Sequence, residues 1–214
     1  MQDGKVDYPN CSLNFEKRRD PIATDDAMIR KALILRLRGQ SRDNTQYRIV
    51  EELGLNHGSI RADVAVINGA LDGFEIKSDK DNLSRLPGQI RAYNSIFDTV
   101  TIVVGMSHVY KALEIIPDWW GVTVAKVSGP ESDSVSFSTI RIARYNEDRD
   151  CISLARLLWR EEALKILNEL HRSSGLKSKP RKMIYEALST CLDMEALSAK
   201  VRLALCSRKN WRVA

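Results

Sequence analysis

Arg61-Ala62-Asp63-Val64-Ala65-Val66-Ile67-Asn68-Gly69-Ala70-Leu71-Asp72-Gly73-Phe74-Glu75-Ile76-Lys77 is the stretch on which the fold turns. Ala62 to Ile67 is dense in β-branched residues, and Asn68-Gly69 is a strong tight-turn signal. Asp72 to Lys77 then reads as the returning strand of a hairpin. Side chains two apart on a strand share a face, so Glu75 and Lys77 project together. The hairpin lays Asp63 alongside them. Val64, Val66, Phe74 and Ile76 keep the rest of the pattern apolar. Charges on such strands are costly unless they pair or hold a metal ion.

Upstream, Thr24-Asp25-Asp26 offers capping groups ahead of Met28, Ile29, Ala32, Leu33, Leu35 and Leu37 at helical spacing, with an end near Gly39. Tyr47 to Leu53 fits either a short helix or an extended segment. Downstream, a helix is expected from about Leu83 to Ile96, delayed at Pro87. Thr99 to Val104 is nearly continuous in apolar character, as in a strand buried on both faces. His108 to Ile115 reads as a short helix, and Gly121–Val127 and Val135–Ala143 as strands. This order predicts a mixed α/β sheet with helices on its faces. From Ile152 the apolar residues recur at helical spacing as far as Leu205, with breaks at Ser173-Ser174-Gly175 and Lys179-Pro180. The expected organisation is an N-terminal arm at 1–24, an α/β core at 25–150 and an all-α extension at 151–214.

Charge follows the same division. Residues 1–150 hold 20 Lys and Arg against 22 Asp and Glu, whereas 151–214 hold 13 against 6. A basic extension on a near-neutral core suits a polyanionic partner, and a solvated helical face remains the other reading. The 214 residues contain no apolar run long enough for a membrane span, and the polar Met1-Gln2-Asp3-Gly4 start lacks a signal-peptide stretch. A cytoplasmic protein with no membrane partner is expected. Cys11, Cys151, Cys191 and Cys206 are widely spaced, and His57, His108 and His171 complete no zinc pattern with them.

The chemistry that suits Asp63, Glu75 and Lys77 is phosphodiester hydrolysis. Two carboxylates with a backbone carbonyl, that of Ile76, form a donor set for Mg²⁺ or Mn²⁺, hard cations that prefer oxygen. Such an ion polarises a phosphate and lowers the pKa of bound water. Lys77 then orients the water or offsets charge on the phosphorane. Glu-x-Lys alone is a weak motif, since on an exposed face it is an ordinary salt bridge. Its context strengthens it: Asp63 on the preceding strand, acids upstream, and Gln89 and Tyr93 one turn apart on the following helix.

Asp63 followed by Glu75-Ile76-Lys77 resembles the PD-(D/E)XK nuclease signature, with Ala62 where that signature usually has proline. A narrower likeness, to the sce-type family of bacteria and their phages, runs through Glu52-Leu53-Gly54-Leu55, His57-Gly58, Arg61 to Val66, Gly73 to Asp79, Leu86-Pro87, Gln89, Tyr93 and Pro117 to Gly121. It resumes at Leu158-Trp159-Arg160, Lys179-Pro180-Arg181 and Arg208 to Arg212, and so covers nearly everything from about residue 25 onward. The resemblance implies a restriction-endonuclease-like core and a metal-dependent nuclease, with DNA preferred over RNA. It implies Asp63, Glu75, Ile76 and Glu52 as metal ligands, Glu51 being the rival of Glu52. Gln89 is implied as a polar residue near water or phosphate. A homodimer would follow by analogy with enzymes that cut both strands.

The sequence leaves several assignments open. Arg61 and Tyr93 are candidates for phosphate contact, with pairing to an acid and core packing as their alternatives. Trp119 and Trp120 are either base-stacking platforms or core. Lys179, Arg181 and Lys182, together with Arg208, Lys209 and Arg212 around Trp211, are the expected nucleic-acid-binding cations of the extension. A non-catalytic nucleic-acid-binding module and an RNA endonuclease in phage defence or a toxin-like role are the competing functions.

Overall fold

The computed structural model describes residues 22–40, 47–128, 134–209 and 211. Its centre is a six-stranded mixed sheet in the order β1 (Arg48–Leu55), β2 (Ile60–Ile67), β3 (Leu71–Lys77), β4 (Thr99–Gly105), β5 (Gly121–Val127) and β6 (Val135–Arg141). Sequence order and spatial order coincide. β1–β2, β2–β3 and β5–β6 are antiparallel, while β3–β4 and β4–β5 are parallel. The parallel pairs require crossover connections, and α2 (Leu86–Asn94) and α3 (Val109–Ile115) supply them. Asn68 and Gly69 turn the β2–β3 hairpin as expected, with Gly69 at φ 105°, where a side chain would be strained. The Tyr47–Leu53 ambiguity resolves to extended chain, because β1 pairs with β2 over almost its whole length.

The alternation of the strands builds two apolar layers. Val64, Val66, Ile76, Val103 and Ala125 pack beneath Ile29, Leu33, Ile34 and Leu37 of α1 (Asp26–Gln40). Ala65, Ile67, Ile102 and Val104 face the opposite layer, with α2, α3 and the C-terminal helices. Those helices are α4 (Cys151–Ala155), α5 (Arg160–Glu169), α6 (Arg181–Cys191) and α7 (Met194–Ser207). Leu154, Leu158, Leu167, Ile184, Leu197 and Leu205 lie in the same continuous cluster as the sheet residues. The extension therefore shares the core of the α/β layer.

Three boundaries differ from the sequence reading. Thr24, assigned to the arm, is 1% exposed, and its N–H and hydroxyl both donate to Asp79 Oδ2 at 2.9 and 2.7 Å. The packed body thus includes it, while residues 1–21 lie outside the described ones. The helix expected from Leu154 to Leu170 is broken at 156–159. There Glu162 accepts the Trp159 N–H at 2.7 Å and starts α5 afresh, and the Tyr185 hydroxyl donates to the Leu158 carbonyl at 3.0 Å. β6 ends at Arg141, whose guanidinium turns in to the carbonyls of Trp120 and Pro117.

Candidate active site

Asp63, Glu75 and Lys77 meet where β2 and β3 part. The β2–β3 ladder runs from Ile67↔Leu71 to Val64↔Phe74, and Asp63 and Glu75 occupy the next step. Asp63 closes the gap by side chain: its Oδ2 accepts the Ile76 N–H at 2.7 Å. Glu75 and Lys77 share a face, as the strand period demands. The Lys77 ammonium donates to Glu75 Oε1, and both side chains are buried.

Tyr93 of α2 joins the two carboxylates. Its hydroxyl donates to Glu75 Oε2 at 2.6 Å and accepts the Asp63 N–H at 3.2 Å. Its ring packs between Phe97 and Trp120, with centroids 5.0 and 5.6 Å away. Tyr93 is fully buried. This corrects the expectation that it touches nucleic acid: no phosphate can reach it, and its role is to hold Glu75 and the Asp63 backbone. Gln89, one turn earlier on α2, points its Oε1 into the protein without a hydrogen-bond partner. A buried acceptor of this kind is uncommon and awaits a donor or a cation.

Burial first, and then negative charge, shape the electrostatics of the site. Burial first, and then the charge of Asp63, push the Glu75 carboxyl up to about 7, against the opposing pull of Lys77 and of the Tyr93 hydroxyl. Burial, Glu75 and Asp63 together drive the Tyr93 phenol well above its ordinary value. Even with Lys77 in place, the pocket favours an added proton or cation.

Arg30 of α1 escaped the sequence reading. Its Nη1 donates to the Asp63 carbonyl at 2.8 Å, and its Nη2 lies 3.1 Å from Asp63 Oδ1. The same guanidinium reaches Asp26 at 3.0 and 3.1 Å and Glu52 Oε1 at 3.0 Å. Burial would lower its pKa, but Asp26 and Asp63 overcome that and hold it raised. Only the Asp26 contact, one turn away on the same helix, left a trace in the sequence. The contact to Asp63 spans 33 positions and depends on how α1 crosses the sheet.

Glu52 faces this network from β1. The β1–β2 ladder pairs Glu51 with Val64 and Leu53 with Ala62, and skips the step at which Glu52 would oppose Asp63. Glu52 sits there at φ 52°, a left-handed conformation that is rare for a glutamate. The strand phase shifts across it, so that Val50 and Leu53, three apart, both enter the same core. Of the two rival acids, Glu52 is thus the one joined to Asp63, through Arg30. Glu51 is exposed opposite Val64.

The cations of the extension divide. Lys179, Arg181, Lys182 and Lys209 are exposed. Arg208 is a correction: it is buried, paired with Glu162 at 2.6 and 2.8 Å, bonded to the Leu157 carbonyl at 2.6 Å, and stacked against Trp159 and Trp211. Its charge is spent inside the protein and cannot serve nucleic acid. Arg212 lies outside the described residues. Trp120 is core, with its indole N–H on Asn94 Oδ1 at 2.8 Å.

The family model described as bacteriophage P4 protein cII matches residues 23–210. The chain belongs to the bacteriophage P4 protein cII family. Protein cII of Enterobacteria phage P4 is 51% identical over 55 residues, which is 26% of this chain and 21% of that relative. The aligned part thus spans about a fifth of the curated relative's length. Among solved structures, a protein of unknown function from Silicibacter pomeroyi matches with a TM-score of 0.41 and 18% identity, over 69% of this chain and 91% of that one.

Within this cII-family chain, no group of three or more His, Cys, Asp or Glu side chains gathers as a metal cage among the described residues. Asp63 and Glu75, with the Ile76 carbonyl, are the donors that could share one ion, completed by water or phosphate oxygens. Such a sparse set suits Mg²⁺, which keeps much of its hydration. The raised Glu75 carboxyl, lifted by burial first and by the Asp63 charge second, favours an added proton or cation at this spot. Glu52 could join only if Arg30 released it.

Proposed function

We propose that this cII-family protein is a metal-dependent nuclease that hydrolyses phosphodiester bonds, with DNA as its substrate. The observation that carries this reading is the meeting of Asp63, Glu75 and Lys77 at the fork between β2 and β3, tied together by the Tyr93 hydroxyl. The PD-(D/E)XK resemblance supports it. A Mg²⁺ or Mn²⁺ ion held by Asp63, Glu75 and the Ile76 carbonyl would supply phosphate polarisation and a more acidic water.

The chain's own residues do the rest. Tyr93 fixes the Glu75 carboxylate through one oxygen, leaving the other with Lys77. Lys77, buried beside Glu75, would orient an attacking water and offset charge on the phosphorane. Gln89, one turn before Tyr93 on α2, carries a buried oxygen without a protein partner, which a water would satisfy. Arg30 neutralises Asp63 until substrate arrives and anchors its backbone. Incubating the protein with single-stranded DNA, duplex, branched DNA and RNA in Mg²⁺ or Mn²⁺ tests the reading. Cleavage of at least one DNA is expected, with loss in EDTA and in the Asp63→Asn protein; no cleavage of any substrate with either ion would remove it.

One observation favours a second reading, a non-catalytic nucleic-acid-binding module. Both carboxylates already carry a cation of the chain, Arg30 on Asp63 and Lys77 on Glu75. Calorimetric titration with Mn²⁺ separates the two. Binding that disappears in Asp63→Asn supports the nuclease, and no binding in the wild type supports the module.

A further inference from the structure

A cleft of about 630 Å³ opens between β1 and the helical extension. β1 and the loop after it form one wall, and the 156–159 connection and the start of α6 form the other. Five arginines line it, Arg48, Arg61, Arg156, Arg181 and Arg208, against two acids, Glu51 and Glu52. Two of the five are committed to the fold. Arg208 is locked on Glu162, and Arg48 donates to the Cys206 carbonyl at 2.6 Å and lies over the Trp211 ring.

The other three keep most of their hydrogen-bonding capacity. Arg156 gives one bond to Asn56 Oδ1 at 3.0 Å. Arg61 approaches Glu52 only at 3.9 Å and is half exposed. Arg181, the exposed first residue of α6, makes no hydrogen bond or ion pair among the described residues, and no side chain caps the helix there. His57 stands in the same lining at φ 61°, its ring 5.7 Å from Tyr185. Burial first, then Arg156 and Arg181, hold its pKa down, as expected where positive potential is in surplus. Glu52, Asn56 and His57 all adopt left-handed backbone along this wall. Strain of this kind persists where structure holds it, and it clusters at ligand sites.

We propose that this cleft seats one strand of nucleic acid, its phosphates contacted by Arg61, Arg156 and Arg181, and leads it over the Glu52 rim toward Asp63. Glu52 belongs both to the cleft lining and to the Arg30 network that holds Asp63. The volume lies within the roughly 300–1,000 Å³ of small-molecule sites, which admits a short run of a single strand and not a duplex. The larger rings in the lining are already engaged: Trp159 and Trp211 both lie against Arg208, and the Tyr185 hydroxyl donates to the Leu158 carbonyl. Contact is therefore with the backbone rather than the bases, and tolerant of sequence. The direction of travel toward Asp63 rests on the nuclease reading, whereas the binding itself does not.

Fluorescence anisotropy with labelled single-stranded DNA and RNA 12-mers and a duplex of the same DNA, all in EDTA, tests the seat without cleavage. Arg61→Glu and Arg181→Glu should each weaken single-strand binding about tenfold or more, and lower the salt slope by about 0.7 per lost phosphate contact. Lys111→Glu, exposed on α3 away from the lining, should bind as the wild type does. Neither arginine has a buried partner, and Arg61→Gln and Arg181→Gln repeat the test with smaller losses. Wild-type affinity in both reversals, tighter binding of duplex than strand, or no binding of either strand by the wild type would overturn the proposal. Binding that the reversals abolish, in a protein that cleaves nothing, keeps the seat and removes the nuclease. Cleavage with binding indifferent to the reversals does the opposite.

Discussion

Replacing Glu75 by glutamine is expected to alter how the stability of the fold depends on pH. Burial and the Asp63 charge raise the Glu75 carboxyl from 4.5 to about 7. A carboxyl whose folded pKa lies above its unfolded value holds its proton more tightly in the native state. Its contribution is fully present below pH 4.5, declines as pH rises through the window, and is gone above about 7. At about 1.36 kcal/mol per pKa unit the whole window is worth roughly 3 kcal/mol, most of it between pH 5 and 8. Glutamine does not titrate. The cost of leaving Lys77 without its carboxylate is shared by all pH values, and cancels when the difference between variant and wild type is followed. Urea unfolding at pH 5, 6.5 and 8 should show the variant gaining about 2–3 kcal/mol on the wild type from the lowest to the highest pH. A difference that stays flat, or shrinks as pH rises, would refute the claim that burial and the Asp63 charge hold the Glu75 carboxyl raised.

The remaining expectations concern the groups around it. Saturating Mg²⁺ at pH 8 should raise the melting temperature of the wild type, since a ligand of the native state stabilises it, and should leave Glu75→Gln nearly unmoved; equal shifts in both would place the ion elsewhere. Tyr93→Phe leaves the buried Asp63 N–H and Glu75 Oε2 short of a partner, so a loss of about 1–3 kcal/mol is expected in denaturant unfolding. Gly73→Ala would set a Cβ 2.8 Å from the Phe97 ring, and a loss of about 1–3 kcal/mol with a lower melting temperature should follow. Arg208→Lys should destabilise by several kcal/mol, on the order of the 3–5 kcal/mol of a broken buried pair, because an ammonium cannot reproduce the fork on Glu162 or the stacking on Trp159 and Trp211; wild-type unfolding of that variant would return Arg208 to the surface.

The β2–β3 hairpin was legible because two short-range signals agree, a β-branched alternation and an Asn-Gly turn. Glu75 and Lys77 on one face follow from the strand period alone, and the crossover helix with Gln89 and Tyr93 follows from the distance between Lys77 and Thr99. Other features depend on long-range packing, and no local pattern carries them. Arg30 reads as one polar position of an amphipathic helix, and only the crossing of α1 over β2 brings it to Asp63. The left-handed Glu52 is invisible in a run of ordinary strand residues. Arg208 looks like any tail cation, yet burial against Glu162 and two indoles removes it from the surface. For Tyr93 the spacing left phosphate contact and core packing open; the structure buries it, and no local pattern says that its hydroxyl ends on Glu75. The basic cleft was missed because its walls are about 100 residues apart in sequence, as Arg156 and Asn56 are.

The most direct test of the proposed centre is the Lys77→Ala protein, assayed in parallel for Mn²⁺ binding by calorimetry and for single-turnover cleavage of the DNA that the wild type cuts. Lys77 is proposed to act on water and phosphate while Asp63 and Glu75 hold the ion. Metal binding should therefore survive, and cleavage should fall at least a hundredfold. Cleavage at the wild-type rate would contradict the assignment of the site.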